Sequence, residues 1–266
     1  MKSRSLLSKA VVSSLLLFQV LSVSASDLTS DIQEVIKGKK AQVGVAVLYK
    51  DDAFTANNDD QYPLMSVFKF HIALAVLKKM EKEGIPLTAV VTLGPSDIDT
   101  KTWSPMYKKY KSKKITLSYG DLINYMVSQS DNNACNWLIN FVGGIQNVND
   151  FIKNLGIDRI QLIETEKSME QDIRKSYNNW STPLSVTQLL RKVYTEKVLS
   201  DEHFAFLEKA MLRPRVKTSS EPVCRKKWKL AIRPECHTEH RKASECAMQT
   251  WALFICPEAR NAIWQF

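Results

Sequence analysis

The stretch YPLMSVFKFHIALAVLKKM, Tyr62–Met80, decides the fold. It is apolar on nearly every side of a helical wheel, the pattern of a helix with no solvent face. Gly84 and Pro86 follow and stop it. One residue breaks the pattern: Lys69 stands in the first turns, three residues after Ser66. Residues i and i+3 share a helix face, so the Ser66 hydroxyl and the Lys69 amine can meet. A buried ammonium is costly unless oxygen atoms satisfy it. Ser66 also opens the helix, where backbone N–H groups lack intrahelical acceptors and the dipole is positive, which suits a developing oxyanion. Ser-x-x-Lys occurs once in the chain, and alone it also reads as a capping serine with a snorkelling lysine.

Working outward, SDLTSDIQEVIKGKK places Leu28, Ile32, Val35 and Ile36 on one helical face and ends at Gly38. AQVGVAVLYK reads as a strand, with Asp51-Asp52 as the turn into a partner strand. Downstream, SYGDLINYMVSQ opens with Ser118 and Asp121 at capping-box spacing. ACNWLINFVGG, VNDFIKNLG, LSVTQLLRKVYTEKV and SDEHFAFLEKAML are further helices, whereas residues 158–182 lack periodicity and read as a long ordered loop. The expected class is α+β. An α/β half at 26–61 and 213–266 carries an antiparallel sheet flanked by helices, and an all-helical half spans 62–212.

Lys2 and Arg4 precede an apolar run, Ala10–Val23, and the small residues Ser24 and Ala25. That is the pattern of a signal peptide, residues 1–25, so export to the periplasm is expected. The run is short of a bilayer span and carries Ser and Gln, so no membrane anchor is expected. The net charge of +9 loses Lys2, Arg4 and Lys9 with the leader, and residues 224–266 hold eight Lys or Arg against four Asp or Glu. No basic stripe interleaved with aromatics remains, so nucleic acid is not an expected partner. Cys224, Cys236, Cys246 and Cys256 crowd into the tail with His237 and His240, while Cys135 stands alone. No C-x2-C pair exists, and neither a metal nor another cofactor is expected. A monomer is the expected state.

Two further motifs carry chemistry. Ser130-Asp131-Asn132 lies in a turn between helices, where the Ser130 hydroxyl and the Asn132 amide can face a cleft and Asp131 can accept the N–H bonds that hold the turn. Alone, it also reads as an ordinary helix cap. Glu166 lies in the polar stretch ETEKSMEQDIRKSYNNWSTP and gains meaning only from its companions.

Together Ser-Val-Phe-Lys, Ser-Asp-Asn and a loop glutamate, in that order, resemble the class A serine β-lactamases, most closely the Bacteroides-type cephalosporinase branch, over residues 27–212. Trp103-Ser104-Pro105 is similar to the aromatic-Ser-Pro segment at the rim of that family's site, and Asn136 takes the position that braces the loop glutamate. The resemblance implies a β-lactam substrate and a residue-by-residue assignment. Ser66 attacks the lactam carbonyl, with its own N–H as one oxyanion donor. Lys69 or Glu166 takes the serine proton. Ser130 passes a proton to the departing nitrogen, and Asn132 holds Lys69 and the substrate's side-chain amide. Glu166 activates the hydrolytic water. Glu170 departs from the asparagine that many members carry there to position water. A penicillin-binding sensor or D-alanyl-D-alanine carboxypeptidase of the same fold, acylated but slowly hydrolysed, is the alternative, and Glu166 argues against it. A non-enzymatic exported binding protein is a third class.

The resemblance also implies Lys-Thr-Gly on a strand lining the cleft, and this chain has none. Lys217-Thr218-Ser219 comes too early after the helices, with serine where only glycine leaves room for substrate. Leu230–Glu235 can be encoded so that reading from the third base gives Gly-His-Lys-Thr-Gly. In the same shifted frame Met248–Ala252 and Ile263–Phe266 give segments similar to the family's last strands. A reading-frame change between about Arg213 and Cys224 is therefore expected, with the C-terminal strands lost. A chain with that tail is expected to fold poorly and to react slowly, since one missing oxyanion donor costs about 100- to 1000-fold in rate.

Overall fold

The computed structural model describes residues 25–38, 42–112, 114–212 and 250–255. The leader up to residue 24, and the tail at 213–249 and 256–266, lie outside the described residues. So do the tail's cysteines and histidines and the Lys217-Thr218-Ser219 segment. The chain divides into two units, Met1–Lys39 and Lys40–Phe266. The first contains helix α1, Ala25–Ile36.

In the second unit, Tyr62–Met80 behaves as its composition demands. A short 3-10 turn, Met65–Val67, runs into helix α2, Phe68–Glu83. Ser66 therefore lies in the tight turn two residues ahead of the α-helix proper. Phe68, Ile72, Ala73, Leu74, Val76, Leu77 and Met80 are fully buried. Gly84 ends α2 in the left-handed region at φ 66°. Its N–H bonds Glu81 O at 3.4 Å, and the next N–H, of Ile85, bonds Met80 O at 2.9 Å.

Around α2 pack helices α4 (Tyr119–Gln129), α5 (Asn132–Phe141) and α6 (Ile145–Asn154). Ser118 caps α4 by accepting the Asp121 N–H at 3.0 Å. Helix α8 (Pro183–Thr195) packs on the main sheet, and α9 (Asp201–Leu212) packs on α4. Short helices α3 (Pro105–Tyr110) and α7 (Glu166–Gln171) flank the site.

The main sheet runs in the order β2–β1–β8, all antiparallel, with β1 Gly44–Tyr49, β2 Asp52–Ala56 and β8 Thr250–Ile255. Its register sets Val47 opposite Phe54 and opposite Ala252. The expected loss of the C-terminal strands thus meets one strand from the tail. Thr-Trp-Ala-Leu-Phe-Ile is rich in β-branched and aromatic residues and pairs along the full length of β1. Two small sheets join β3 (Tyr62–Pro63), β7 (Trp180–Ser181) and β6 (Ile160–Gln161), and β4 (Val90–Leu93) with β5 (Ile115–Ser118). The stretch expected as a loop, 158–182, therefore carries β6, α7, a 3-10 turn at Ile173–Asn178 and β7. These pieces are two to six residues long, too short to leave a hydrophobic period.

His71, in the first turn of α2, is fully buried with its Nδ1 3.3 Å from Val67 O. Burial pushes its pKa down from 6.5 to about 4. The folded protein therefore holds His71 neutral where the unfolded chain is already protonated. Stability from this group is whole above pH 6.5 and drains away as pH falls toward 4. On the usual conversion the loss is about 2–3 kcal/mol. Denaturant unfolding at pH 7 and pH 4.5 is expected to show it, and His71→Leu is expected to flatten that part of the pH dependence. Equal slopes for the two proteins would remove His71 as the cause.

Candidate active site

The start of α2, the turn between α4 and α5 and the head of α7 meet at one ammonium. Lys69 Nζ donates to Ser130 Oγ at 2.9 Å, to Ser130 O at 3.0 Å and to Asn132 Oδ1 at 2.7 Å, and lies 3.4 Å from Ser66 Oγ. It pairs with Glu166 Oε1 at 2.6 Å. Ser130 Oγ in turn donates to Ser66 Oγ at 2.8 Å. A continuous chain of hydrogen bonds thus links two hydroxyls, an amine and a carboxylate. Lys69 is 2 % exposed and Glu166 is 8 % exposed. At that burial the ion pair is screened little by solvent, and the remaining oxygens answer the cost of burying the cation.

Backbone geometry aims these groups. Met65, directly before Ser66, sits in the left-handed region at φ 46°, uncommon for a residue with a side chain. Ser130 ends α4 at φ 57°, also left-handed, which turns its hydroxyl away from the helix and toward Ser66. Asp131 is the hidden brace. It is fully buried and accepts from Met106 N at 2.7 Å, Ala134 N at 3.0 Å and Ser104 Oγ at 2.8 Å. Burial pushes its carboxyl above the usual range, and these donors oppose that shift.

Trp103 forms the rim. It is about half-exposed, donates its Nε1–H to Gln129 O at 3.1 Å, and accepts the Asn132 N–H on its carbonyl at 3.0 Å. Lys108 Nζ lies 3.9 Å from the centre of its ring. Ser104 and Pro105 start α3, Ser104 Oγ accepting the Tyr107 N–H at 3.1 Å.

The loop carrying Glu166 is tied down from several directions. Thr165 caps α7 in reciprocal bonds with Ser168. Asn136 Oδ1 accepts the Lys167 N–H at 3.2 Å, beside the glutamate. Asn179, fully buried, accepts from Ile163 N at 2.8 Å and Glu164 N at 2.9 Å, and its Nδ2 donates to Glu164 O at 2.9 Å. Glu170 faces the far side of Asn132, whose Nδ2 donates to its Oε1 at 3.1 Å.

Every residue singled out in the sequence, namely Ser66, Lys69, Trp103, Ser130, Asp131, Asn132, Asn136, Glu166 and Glu170, lies in or against this cluster. Sequence reasoning passed over three others: Thr102, Ser104 as a partner of Asp131, and Asn179 as a loop tie. Thr102 stands next to the aromatic-Ser-Pro segment, and that adjacency was its only signal. Among the described residues no group of three or more His, Cys, Asp or Glu side chains is placed to hold a metal ion. Cys135 is buried, and burial raises its thiol pKa well above the usual value.

A family model described as "Beta-lactamase enzyme family" matches residues 27–231. The chain belongs to the β-lactamase enzyme family. A β-lactamase of Bacteroides uniformis is 42 % identical over 189 residues, 70 % of this chain and 64 % of that protein. One from Phocaeicola vulgatus is 36 % identical over 187 residues, 69 % of this chain and 58 % of the relative. The chain thus spans somewhat under two thirds of the length of these curated relatives. Among solved structures, a class A β-lactamase from Bacteroides cellulosilyticus matches at TM-score 0.68 and 40 % identity, covering 71 % of this chain and 68 % of the other. The TLA-3 extended-spectrum β-lactamase matches with the same score and identity, over 71 % and 70 %. The class A likeness read in the sequence motifs is therefore borne out, and with it the mixed α+β architecture.

Proposed function

We propose that this β-lactamase family member hydrolyses the amide bond of penicillins and cephalosporins through an acyl-enzyme on Ser66, and so contributes to antibiotic resistance. The observation that carries this reading is the buried Lys69 held between Ser66, Ser130, Asn132 and Glu166. Ser66 Oγ attacks the lactam carbonyl. Its proton passes to Lys69, directly or along Ser130, once the ammonium has handed one of its own protons to Glu166 2.6 Å away, or it goes to Glu166 through a water. The carbon–nitrogen bond breaks as Ser130 gives the departing nitrogen a proton, which Lys69 can replace. Glu166, at the head of α7 and hydrogen-bonded to Lys69, then takes a proton from the water that hydrolyses the ester. Trp103 lines the rim against the substrate, Asn132 offers an amide to it, and Asp131 and Asn136 hold the turn and the loop.

Both the two-half division at residues 62 and 213 and export to the periplasm belong to this reading. The relatives' family and the leader composition support export, and no helix among the described residues is long and apolar enough to cross a membrane. The absence of Lys-Thr-Gly from the chain makes slow acylation the expectation, so the test reads the adduct rather than turnover. Incubation of the full chain with benzylpenicillin, followed by intact mass and peptide mapping, is expected to show one penicilloyl group on Ser66. No adduct, or an adduct elsewhere, would defeat the proposal.

A further inference from the structure

Asn132 meets Lys69 with a neutral side chain whose two ends are chemically opposite, so its orientation matters. Oδ1 accepts from Lys69 at 2.7 Å, while Nδ2 donates to Thr102 Oγ1 at 3.0 Å and to Glu170 Oε1 at 3.1 Å. Thr102 Oγ1 also donates to Glu170 Oε1, which closes a triangle. Turned over, the amide would set its two donors against an ammonium and its oxygen against a carboxylate. Both contacts would be repulsive, because an ionised carboxylate accepts and never donates. Thr102 alone could not enforce this, since a hydroxyl serves either end of an amide. A carboxylate can.

We propose that Glu170 is a positioning residue: its carboxylate, with the Thr102 hydroxyl, locks the Asn132 amide in the flip that keeps its oxygen on Lys69. This rests on the reading that Lys69 serves Ser66. It assigns the departure at position 170 a use distinct from holding water. Glu170 is open to solvent on its other side, whereas Thr102 is buried, so the lock is set from the loop inward. Burial and the neighbouring Glu166 and Asp99 carboxylates raise the Glu170 pKa, against the opposing pull of Asn132 and Lys69. The lock therefore weakens in acid, where a protonated Glu170 can donate as well as accept.

The test measures acylation by benzylpenicillin on the full chain, by timed intact mass over a range of penicillin concentrations. Glu170→Leu is expected to slow acylation at saturating penicillin by about 10- to 100-fold, the size of one charge-assisted hydrogen bond, with little change in the half-saturating concentration. Glu170→Gln, which can turn either an acceptor or a donor toward Asn132, is expected to fall between the parent and Glu170→Leu, as a protonated Glu170 would. Thr102→Val serves as a second variant and is expected to shift the rate in the same direction by a smaller factor. In an Asn132→Ala background Glu170→Leu is expected to add nothing, because the residue acts through that amide. Faster acylation by Glu170→Leu would mean that Glu170 obstructs the site, and an undiminished loss in the Asn132→Ala background would mean that it acts elsewhere. Either result overturns the inference while leaving Ser66 acylation intact. A parent chain that forms no adduct removes the underlying reading first, and this inference with it.

Discussion

Replacing Lys69 with methionine is expected to slow acylation of Ser66 by about 1000-fold, within the range assigned to a positioned acid–base group. Methionine fills most of the lysine stem's volume but donates nothing to Ser66, Ser130, Asn132 or Glu166, all of which now face the ammonium. The relay between the two hydroxyls loses its proton store. The same change leaves the Glu166 carboxylate, 8 % exposed, without its cation. Stranding one member of a buried pair typically costs about 3–5 kcal/mol, so a lower denaturant midpoint is expected alongside the slower reaction. Timed intact mass with benzylpenicillin and denaturant unfolding measure the two effects separately. Acylation within tenfold of the parent would shift the proton-accepting role to Glu166 acting through water.

Glu166→Gln is expected to do the opposite to the adduct. Glutamine keeps an oxygen for Lys69 but cannot take a proton from water, so the ester forms and then persists. Hydrolysis is expected to fall by about 100- to 10,000-fold, the contribution of a general base. After excess penicillin is removed, the penicilloyl mass should remain on the variant for hours while it clears from the parent. The stability cost should be smaller than for Lys69→Met, because Ser130 and Asn132 still offer oxygens to the ammonium. Equal clearance from both proteins would remove Glu166 from the hydrolytic step. A parent that holds its adduct as long as the variant would favour the slow, sensor-like alternative.

The parts of this molecule legible in its sequence are those whose reasons are local. Tyr62–Met80 announced a buried helix because apolarity all round has one structural meaning, and Gly84 announced its end because few other residues accept φ near 66° so readily. Ser66 and Lys69 could be paired by helix geometry alone. Asp131 was legible as a turn-holding acceptor, since its cap to Ala134 lies three residues away. What stayed hidden depended on chain segments far apart. Nothing in the order of residues ties Ser104 to Asp131 or Thr102 to Glu170, separated by 27 and 68 positions. The strands β3, β6 and β7 have two residues each, and the pairing of Tyr62 with Ser181 is a tertiary fact that no period encodes. The strand β8 sits where the tail's frame was in question, and there the β-forming character of Thr-Trp-Ala-Leu-Phe-Ile sufficed to extend the sheet.

Asn179 carries one last implication. Its side chain fastens the loop at Ile163 and Glu164, and its backbone oxygen accepts the Leu64 N–H at 2.8 Å, two residues ahead of Ser66. The acid that would free the product and the alcohol that would capture the drug hang from the same peg. If the proposed function holds, selection for bulkier antibiotics could not slacken the loop at this point without also displacing Ser66. Resistance evolving through this residue would trade breadth of drugs against speed of capture.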